Sequence, residues 1–237
     1  MDAAELRYYG HSAFLLTTPL GTRILIDPFG NPPVEEGLRW FLREFPLVEV
    51  DMVLISHPHF DHDAVERALG DPTVIRTSGE FKGEGFTIMA IPDKHAREYG
   101  RSFNHLNLIF VADVAEVRFC HLGDNRAELP VDVRSKLGVV DVLMVSVDES
   151  QHLLTYEEVD EIVRILDPKI VIPMHYFIPG LMDPDSTLKT ADSWIERQGK
   201  VRRVAGEEAK FSKSMLPESR EVWFFESEIP PQHGDDG

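Results

Sequence analysis

The sequence predicts an α/β fold, on the strength of two observations. The first half of the chain is a series of short segments rich in β-branched and aromatic residues, and the second half alternates such segments with helical patterns. Histidines and aspartates follow directly after several of the predicted strands. Because open α/β sheets bind ligands beyond the carboxyl ends of their strands, these polar residues are expected to share one site.

Twelve segments have the pattern of strands, either apolar runs or alternation bounded by Gly, Pro or Asp. They are residues 6–9, 13–17, 23–26, 51–56, 73–76, 86–91, 107–112, 116–121, 142–147, 170–173, 201–204 and 222–225. Helices are predicted at 64–69, 156–166 and 186–198. The second of these begins with capping-box spacing between Thr155 and Glu158 and ends at Asp167-Pro168.

We expect one domain over residues 1–229, with two β-rich halves meeting near 125–140, and a disordered tail over 230–237. The segment 31–46 fits either of two descriptions. It could be a lid that brings Trp40 and Phe41 over the site, or a helix packed on the outside of the fold.

The composition excludes several classes of function. With 41 acidic and 24 basic residues the formal charge is −17, which argues against a nucleic-acid binder. Cys120 is the only cysteine, so the chain has no internal disulfide and no cysteine-rich zinc site; the thiol is expected to be buried and inert. With no apolar run of about 20 residues and no signal-peptide pattern, we expect a cytoplasmic protein acting on a small molecule. Homo-oligomerisation is left open.

A metal site is indicated by His57-Pro-His59-Phe-Asp61-His62, which places four ligand-type side chains in six residues after an apolar strand. Imidazole and carboxylate are ligands that zinc, iron and manganese accept. His57 and His59 project to the same side of an extended segment and can bind one ion. Asp61 and His62, at the following turn, can face a second ion.

This motif resembles the HxHxDH signature of the metallo-β-lactamase superfamily, and the resemblance covers nearly the whole chain. Two further motifs resemble those of the branch related to ascorbate-6-phosphate lactonase and N-acyl-phosphatidylethanolamine phospholipase D, namely Tyr9-Gly-His11-Ser-Ala-Phe14 and Ile172-Pro-Met-His175-Tyr176. Two more resemble motifs of the superfamily, namely Ile24-Leu-Ile-Asp27-Pro28 and His121-Leu-Gly-Asp124. The resemblance implies a four-layer αββα sandwich.

The same resemblance implies a dinuclear centre. One metal would be bound by His57, His59 and a further histidine, and the second by Asp61, His62 and His175, with Asp124 bridging both. The further histidine is His95, His121 or His105; His95 is preferred because it follows a predicted strand. His11, Asp27 and His121 are expected to orient the ligands through hydrogen bonds.

The implied activity is hydrolysis of an ester, lactone, amide, thioester or phosphodiester by a metal-activated hydroxide, with Asp61 orienting the attacking water. Two divalent ions are expected, with Zn²⁺ preferred over Mn²⁺ or Fe²⁺. The acids of Asp148-Glu149-Ser150 near the site disfavour a highly charged phosphate substrate. The alternatives are a mononuclear non-haem iron dioxygenase of the same fold and a non-catalytic interaction module.

Overall fold

The computed structural model describes residues 3–32, 39–97, 106–150 and 152–226. Its strands are β1 Ala4–Gly10, β2 Ala13–Thr17, β3 Arg23–Ile26, β4 Val48–Glu49, β5 Met52–Leu54, β6 Ala68–Leu69, β7 Thr73–Ile75, β8 Gly79–Gly83, β9 Phe86–Lys94, β10 Leu106–Val114, β11 Val117–His121, β12 Val142–Ser146, β13 Ile170–Met174, β14 Val201–Ala205, β15 Glu208–Phe211 and β16 Glu221–Glu226. Its helices are α1 Val131–Leu137, α2 Tyr156–Leu166 and α3 Asp192–Ile195, with 3₁₀ turns at Val65–Arg67 and Lys213–Met215.

Most of the strands form two sheets. The order in the first is β15-β1-β2-β3-β5-β7, and in the second β14-β16-β13-β12-β11-β10-β9-β8. Aromatic rings join them: Tyr8 of β1 lies 5.9 Å from Phe225 of β16, measured between ring centroids, and Phe119 of β11 lies 5.3 Å from Phe211 of β15. The sheets therefore share one core, and the predicted α/β sandwich is confirmed.

Strand direction decides where the polar residues gather. In the first sheet, β3 is parallel to β5, and β1 points the same way because the antiparallel β2 separates it from β3. In the second, β11, β12 and β13 are parallel, and β9 joins them in direction across the antiparallel β10. The carboxyl ends of six of these seven strands, all except β12, carry the candidate site residues.

Two of the three predicted helices need correction. Helix α2 has the predicted bounds and its capping box: Thr155 Oγ1 accepts from the Glu158 N–H, and a Glu158 carboxylate oxygen accepts from the Thr155 N–H. The helix predicted at 64–69 is wrong. It is one 3₁₀ turn leading into β6, whose backbone pairs with β4.

The helix predicted at 186–198 is reduced to α3, Asp192–Ile195. Ahead of α3 the Leu188 N–H bonds the Ser186 hydroxyl and the Lys189 N–H bonds the Asp148 carbonyl, which ties this stretch to the loop after β12. The prediction also missed four elements, β4, β8, β15 and α1.

Some predictions concern residues that the structure does not describe. His105, positions 33–38 of the candidate lid and the tail 230–237 lie outside the described ranges. The chain passes from the first sheet to the second between β7 and β8, and the predicted junction at 125–140 lies between β11 and β12. The single-domain assignment stays a prediction. In the described part of the chain, no helix is long and apolar enough to cross a membrane.

Candidate metal centre

Eight side chains from the carboxyl ends of the strands form two groups of potential ligands. Within each group the candidate ligand atoms lie within 4.8 Å of one another. The first group is His57, His59, His95 and Asp124, and the second is His11, Asp61, His62 and His175. All are buried except His59, which is half-buried. The structure thus brings together every residue that the sequence predicted as a ligand, and adds His11.

Asp124 lies between the two groups. One carboxylate oxygen, Oδ1, is 3.3 Å from His62 Nε2. The other, Oδ2, is 3.6 Å from His57 Nε2, 3.4 Å from His95 Nε2 and 3.5 Å from His175 Nε2. One carboxylate is therefore in reach of both groups, as a bridging ligand would need to be.

Hydrogen bonds set the proton positions on two histidines of the first group. Ser56 Oγ donates its proton to Asp27 Oδ2 at 2.6 Å. Ser56 Oγ therefore acts as the acceptor for His57 Nδ1–H, at 2.9 Å. His95 Nδ1 donates to the Ala96 carbonyl at 2.6 Å. Because each Nδ1 carries the proton, each Nε2 keeps its lone pair, and it is Nε2 that faces Asp124.

Asp27 fixes a histidine of the second group as well. Its Oδ2 accepts from His62 Nδ1 at 2.8 Å, and its Oδ1 accepts from the Ser56 N–H at 2.8 Å. The carboxylate is fully buried, at the end of β3. Asp27 therefore orients His62 directly and His57 through the Ser56 hydroxyl, one histidine in each group.

His11 contacts the second group from the turn after β1. Its Nε2 lies 3.2 Å from Asp61 Oδ2, and its ring centroid lies 4.1 Å from that of His175. Burial lowers the pKa of His11 to about 4, so the ring is neutral and Nε2–H can donate to Asp61. The His175 N–H also bonds the His11 carbonyl at 2.8 Å. These contacts suit the predicted orienting role.

Several buried atoms at this site have no hydrogen-bond partner among the described residues, which is rare in proteins. They are His11 Nδ1, His62 Nε2, His95 Nε2, Asp124 Oδ1 and both ring nitrogens of His175. Most of them are lone-pair atoms that point towards a common space. Divalent cations would satisfy the Nε2 atoms of His62, His95 and His175 and the Asp124 oxygen, so the residues present fit a metal centre.

The charges of the centre also favour cations. Burial opposes ionisation of Asp61 and Asp124, yet the neighbouring imidazoles hold the pKa of each carboxyl well below its usual range. Burial likewise opposes protonation of His62, but three carboxylates, Asp124 foremost, raise its pKa well above the ordinary value. The site is thus rich in buried negative charge that a cation would stabilise.

Two histidines were alternatives to His95. His121 Nε2 donates to the Ser12 carbonyl at 2.9 Å, and Nδ1 accepts from the Gly123 N–H at 3.1 Å. Both nitrogens are used, so His121 has no lone pair left for a metal. His105 is not among the described residues. The geometry therefore favours His95. Cys120, which precedes His121 in β11, is buried, and burial raises the pKa of the thiol to about 12.

Sequence reasoning missed two residues that support the ligands, Ser56 and Asn107. Asn107 is fully buried; its side-chain oxygen accepts from the Asp124 N–H at 3.2 Å, and its amide group donates to the Leu122 carbonyl at 2.9 Å. It thereby holds the turn that presents Asp124. For Ser56 there was a signal, a polar residue ending an apolar strand; for Asn107 there was none.

A small cavity of about 150 Å³ opens over the centre. Its floor is made of ligand-type residues and its walls are mainly apolar. The lining residues are Trp40, His59, Phe60, Asp61, His95, Asp124, His152, Leu153, His175 and Leu188. Trp40 belongs to the segment predicted as a lid or an outer helix. Residues 39–46 of that segment contain no helix, and Phe41 and Phe45 are buried.

Comparison with known proteins identifies the family. The model of the β-lactamase superfamily domain matches residues 5–175. The chain belongs to the metallo-β-lactamase superfamily. A UPF0173 protein of Pyrococcus abyssi is 30% identical over 197 residues, covering 73% of this chain and 83% of the relative. A UPF0173 metal-dependent hydrolase of Thermus thermophilus is 26% identical over 196 residues, with the same coverage.

Solved structures share the fold. A candidate Zn-dependent hydrolase from Thermotoga maritima superposes with a TM-score of 0.73 at 25% identity, covering 94% of this chain and 98% of that one. CmlA, a diiron β-hydroxylase from Streptomyces venezuelae, has a TM-score of 0.53 at 18% identity, covering 74% of this chain and 45% of that one. Since this fold also occurs in a hydroxylase, the chemistry has to be argued from the site.

Proposed function

We propose that this enzyme, a metal-dependent hydrolase, uses two divalent cations to hydrolyse an ester, lactone, amide or phosphodiester bond. His57, His59 and His95 would hold one ion, and Asp61, His62 and His175 the other. Asp124 would bridge the two. Zn²⁺ suits this set of nitrogen and carboxylate ligands, and Mn²⁺ or Fe²⁺ could occupy the same set.

The observation that carries the proposal is the position of Asp124 between two groups of buried ligands. Its two oxygens lie within 3.6 Å of four imidazole nitrogens, and the structure gives several of these atoms no hydrogen-bond partner. A non-catalytic module would have no need to keep so many unpaired polar atoms buried, because each costs about 1–3 kcal/mol.

Bound divalent ions supply water of lowered pKa and polarise the scissile carbonyl or phosphoryl oxygen. The chain's own residues supply the rest. Asp61 lines the cavity, where its carboxylate can accept the proton of the attacking water. His11 Nε2 holds Asp61 Oδ2 at 3.2 Å and so fixes the direction in which the carboxylate points. Asp27 keeps the lone pairs of His57 and His62 directed at the ions.

The decisive experiment is metal analysis of anaerobically purified protein together with an Asp61→Asn variant. We expect two zinc or manganese ions per chain, and a loss of turnover of about 10²–10⁴-fold in the variant. Asp113→Asn is the control and should keep full activity. It removes a half-exposed carboxylate on β10 that pairs with Arg118 on β11.

Two outcomes would contradict the proposal. Full activity in an Asp61→Asn variant with normal metal content would show that Asp61 does not accept the proton of the attacking water. One iron per chain, with oxygen consumption and no hydrolysis, would favour the mononuclear iron dioxygenase.

A further inference from the structure

The cavity over the centre is small and its walls are apolar. Its volume of about 150 Å³ is well below the roughly 300–1,000 Å³ of sites for drug-sized ligands. An apolar cavity of about this size holds one benzene molecule. Leu153 and Leu188 are buried in the wall, and the ring of Trp40 meets that of Phe60 edge-on, with centroids 5.3 Å apart. The space therefore fits a compact apolar group.

The rim of this cavity is anchored by backbone hydrogen bonds. Asn31 Oδ1 accepts from the N–H groups of Trp40 and Phe41, each at 2.8 Å. The Trp40 carbonyl accepts from the Asp183 N–H at 2.9 Å, and Phe41 pairs with Met182. Trp40 is thus set in a backbone that these hydrogen bonds anchor.

No lysine or arginine lines the cavity among the residues that the structure describes. Two arginines lie close to its walls, and both are engaged. Arg39 donates to the carbonyls of Phe41 and Leu42, and Arg97 donates to the Leu153 carbonyl and pairs with Glu158. A charged group on the substrate that lies away from the metal centre would meet mainly apolar walls, with no lysine or arginine of the described lining to compensate it, which costs free energy.

From this arrangement we infer that the substrate is an uncharged carboxylic ester or lactone, with a compact apolar group of about one ring beside the scissile bond. The inference rests on the proposed function. Water adds its oxygen to the carbonyl carbon, and the bond from that carbon to the leaving oxygen breaks. The leaving oxygen takes a proton, so the products are a carboxylic acid and an alcohol or phenol. Phosphodiesters are disfavoured because they stay anionic.

The test compares four compounds that release a phenol or naphthol, with each rate divided by the uncatalysed rate in buffer. Phenyl acetate fits the inferred class, 4-carboxyphenyl acetate adds a charge, 2-naphthyl acetate adds a ring, and phenyl methylphosphonate is the anionic phosphorus counterpart. We expect the rate acceleration for phenyl acetate to exceed that for each of the other three compounds by about 10-fold or more. A difference of this size is typical when a pocket cannot accommodate a substrate group.

A pair of variants separates the pocket from the metal centre. Trp40→Ala should lower kcat/KM for phenyl acetate by about 10-fold and narrow the discrimination against 2-naphthyl acetate. Phe81→Ala removes a half-buried aromatic ring from edge strand β8, outside the cavity. It should change neither kcat/KM for phenyl acetate nor the discrimination against 2-naphthyl acetate. Metal content is measured for both variants, so that a loss of ions is recognised.

The possible failures are distinguishable. If the phosphonate or the charged ester is accelerated as much as phenyl acetate, or if Trp40→Ala leaves the size preference intact, the substrate inference is wrong and the hydrolase stands. If protein with two bound metals turns over none of the four compounds, the substrate inference is wrong, and the proposed function fails along with it when a lactone, an amide and a phosphodiester also give no turnover.

Discussion

The hydroxyl of Ser56 is a small group with a large expected effect, because it links the Asp27 carboxylate to His57. In Ser56→Ala, His57 Nδ1 loses its acceptor, and the ring can carry its proton on Nε2, where the metal should bind. Loss of such an orienting contact typically lowers metal affinity by about 10–100-fold. We expect a weakening of that size for Zn²⁺, measured by competition with a chromogenic chelator.

Ser146→Ala is the matched control. Ser146 is as buried as Ser56, but its hydroxyl donates to the Gly123 carbonyl at 3.1 Å and not to an imidazole. It should keep a nearly normal affinity for Zn²⁺. An equal loss in both variants would mean that Ser56 acts through packing and not through the proton on His57.

At the scale of elements, the turn after β11 depends on a glycine. Gly123 has φ of 57°, and a Cβ at this position would lie 2.6 Å from Asn107 Oδ1 and 2.7 Å from Ser56 Cβ. Gly123→Ala should therefore lower the free energy of unfolding by more than about 2 kcal/mol, as measured by denaturant titration. It should also weaken metal binding, because Asp124 follows directly.

Gly199→Ala is the comparison for that variant, since a Cβ at Gly199 meets no atom within 4 Å. Its effect on the free energy of unfolding should stay within about 0.5 kcal/mol. If the two substitutions lower the free energy of unfolding by the same amount, the close approach of Gly123 to Asn107 does not matter for stability.

The strands were predictable from sequence to the extent that burial dictates their pattern. Strands β12 and β13 are buried along their whole length and appear as continuous apolar runs, so the pattern finds them. Strand β8 is mostly exposed at a sheet edge, and its sequence Gly-Glu-Phe-Lys-Gly has no such signal. The helix prediction for residues 64–69 failed because the pattern of so short a segment fits a helical turn and a short strand equally well.

The candidate site was predictable where local spacing determined it. The His57–His62 motif lies on one loop, and His95, Asp124 and His175 each follow a strand. The walls of the cavity were out of reach, because Phe60, Leu153 and Leu188 come together only in the folded chain. The same holds for Asn107, whose contacts with the Asp124 turn span 15 to 18 residues.

On the scale of the whole molecule, the ions should stabilise the fold, because the two groups of ligands draw residues from both sheets. A ligand that binds only the folded state at 100 times its Kd adds about 2.7 kcal/mol. For a chain of this length that corresponds to a Tm rise of about 5–10 °C. We expect a chelator to lower the Tm by this amount, as measured by calorimetry.

Asp124→Asn provides the reference, because it removes the carboxylate that lies within reach of both groups. Its Tm should depend much less on the chelator than that of the unaltered protein. An undiminished dependence would indicate that the stabilising ions bind elsewhere.

The hydrogen bond from the His175 N–H to the His11 carbonyl joins positions 164 residues apart in the chain. During synthesis the second group of ligands is therefore incomplete until residue 175 has left the ribosome. Contacts of such long range form slowly, because the intervening loop must close before they contribute. Full metal loading is then a late step in the maturation of this protein, and a pulse of labelled zinc during translation should enter mainly completed chains.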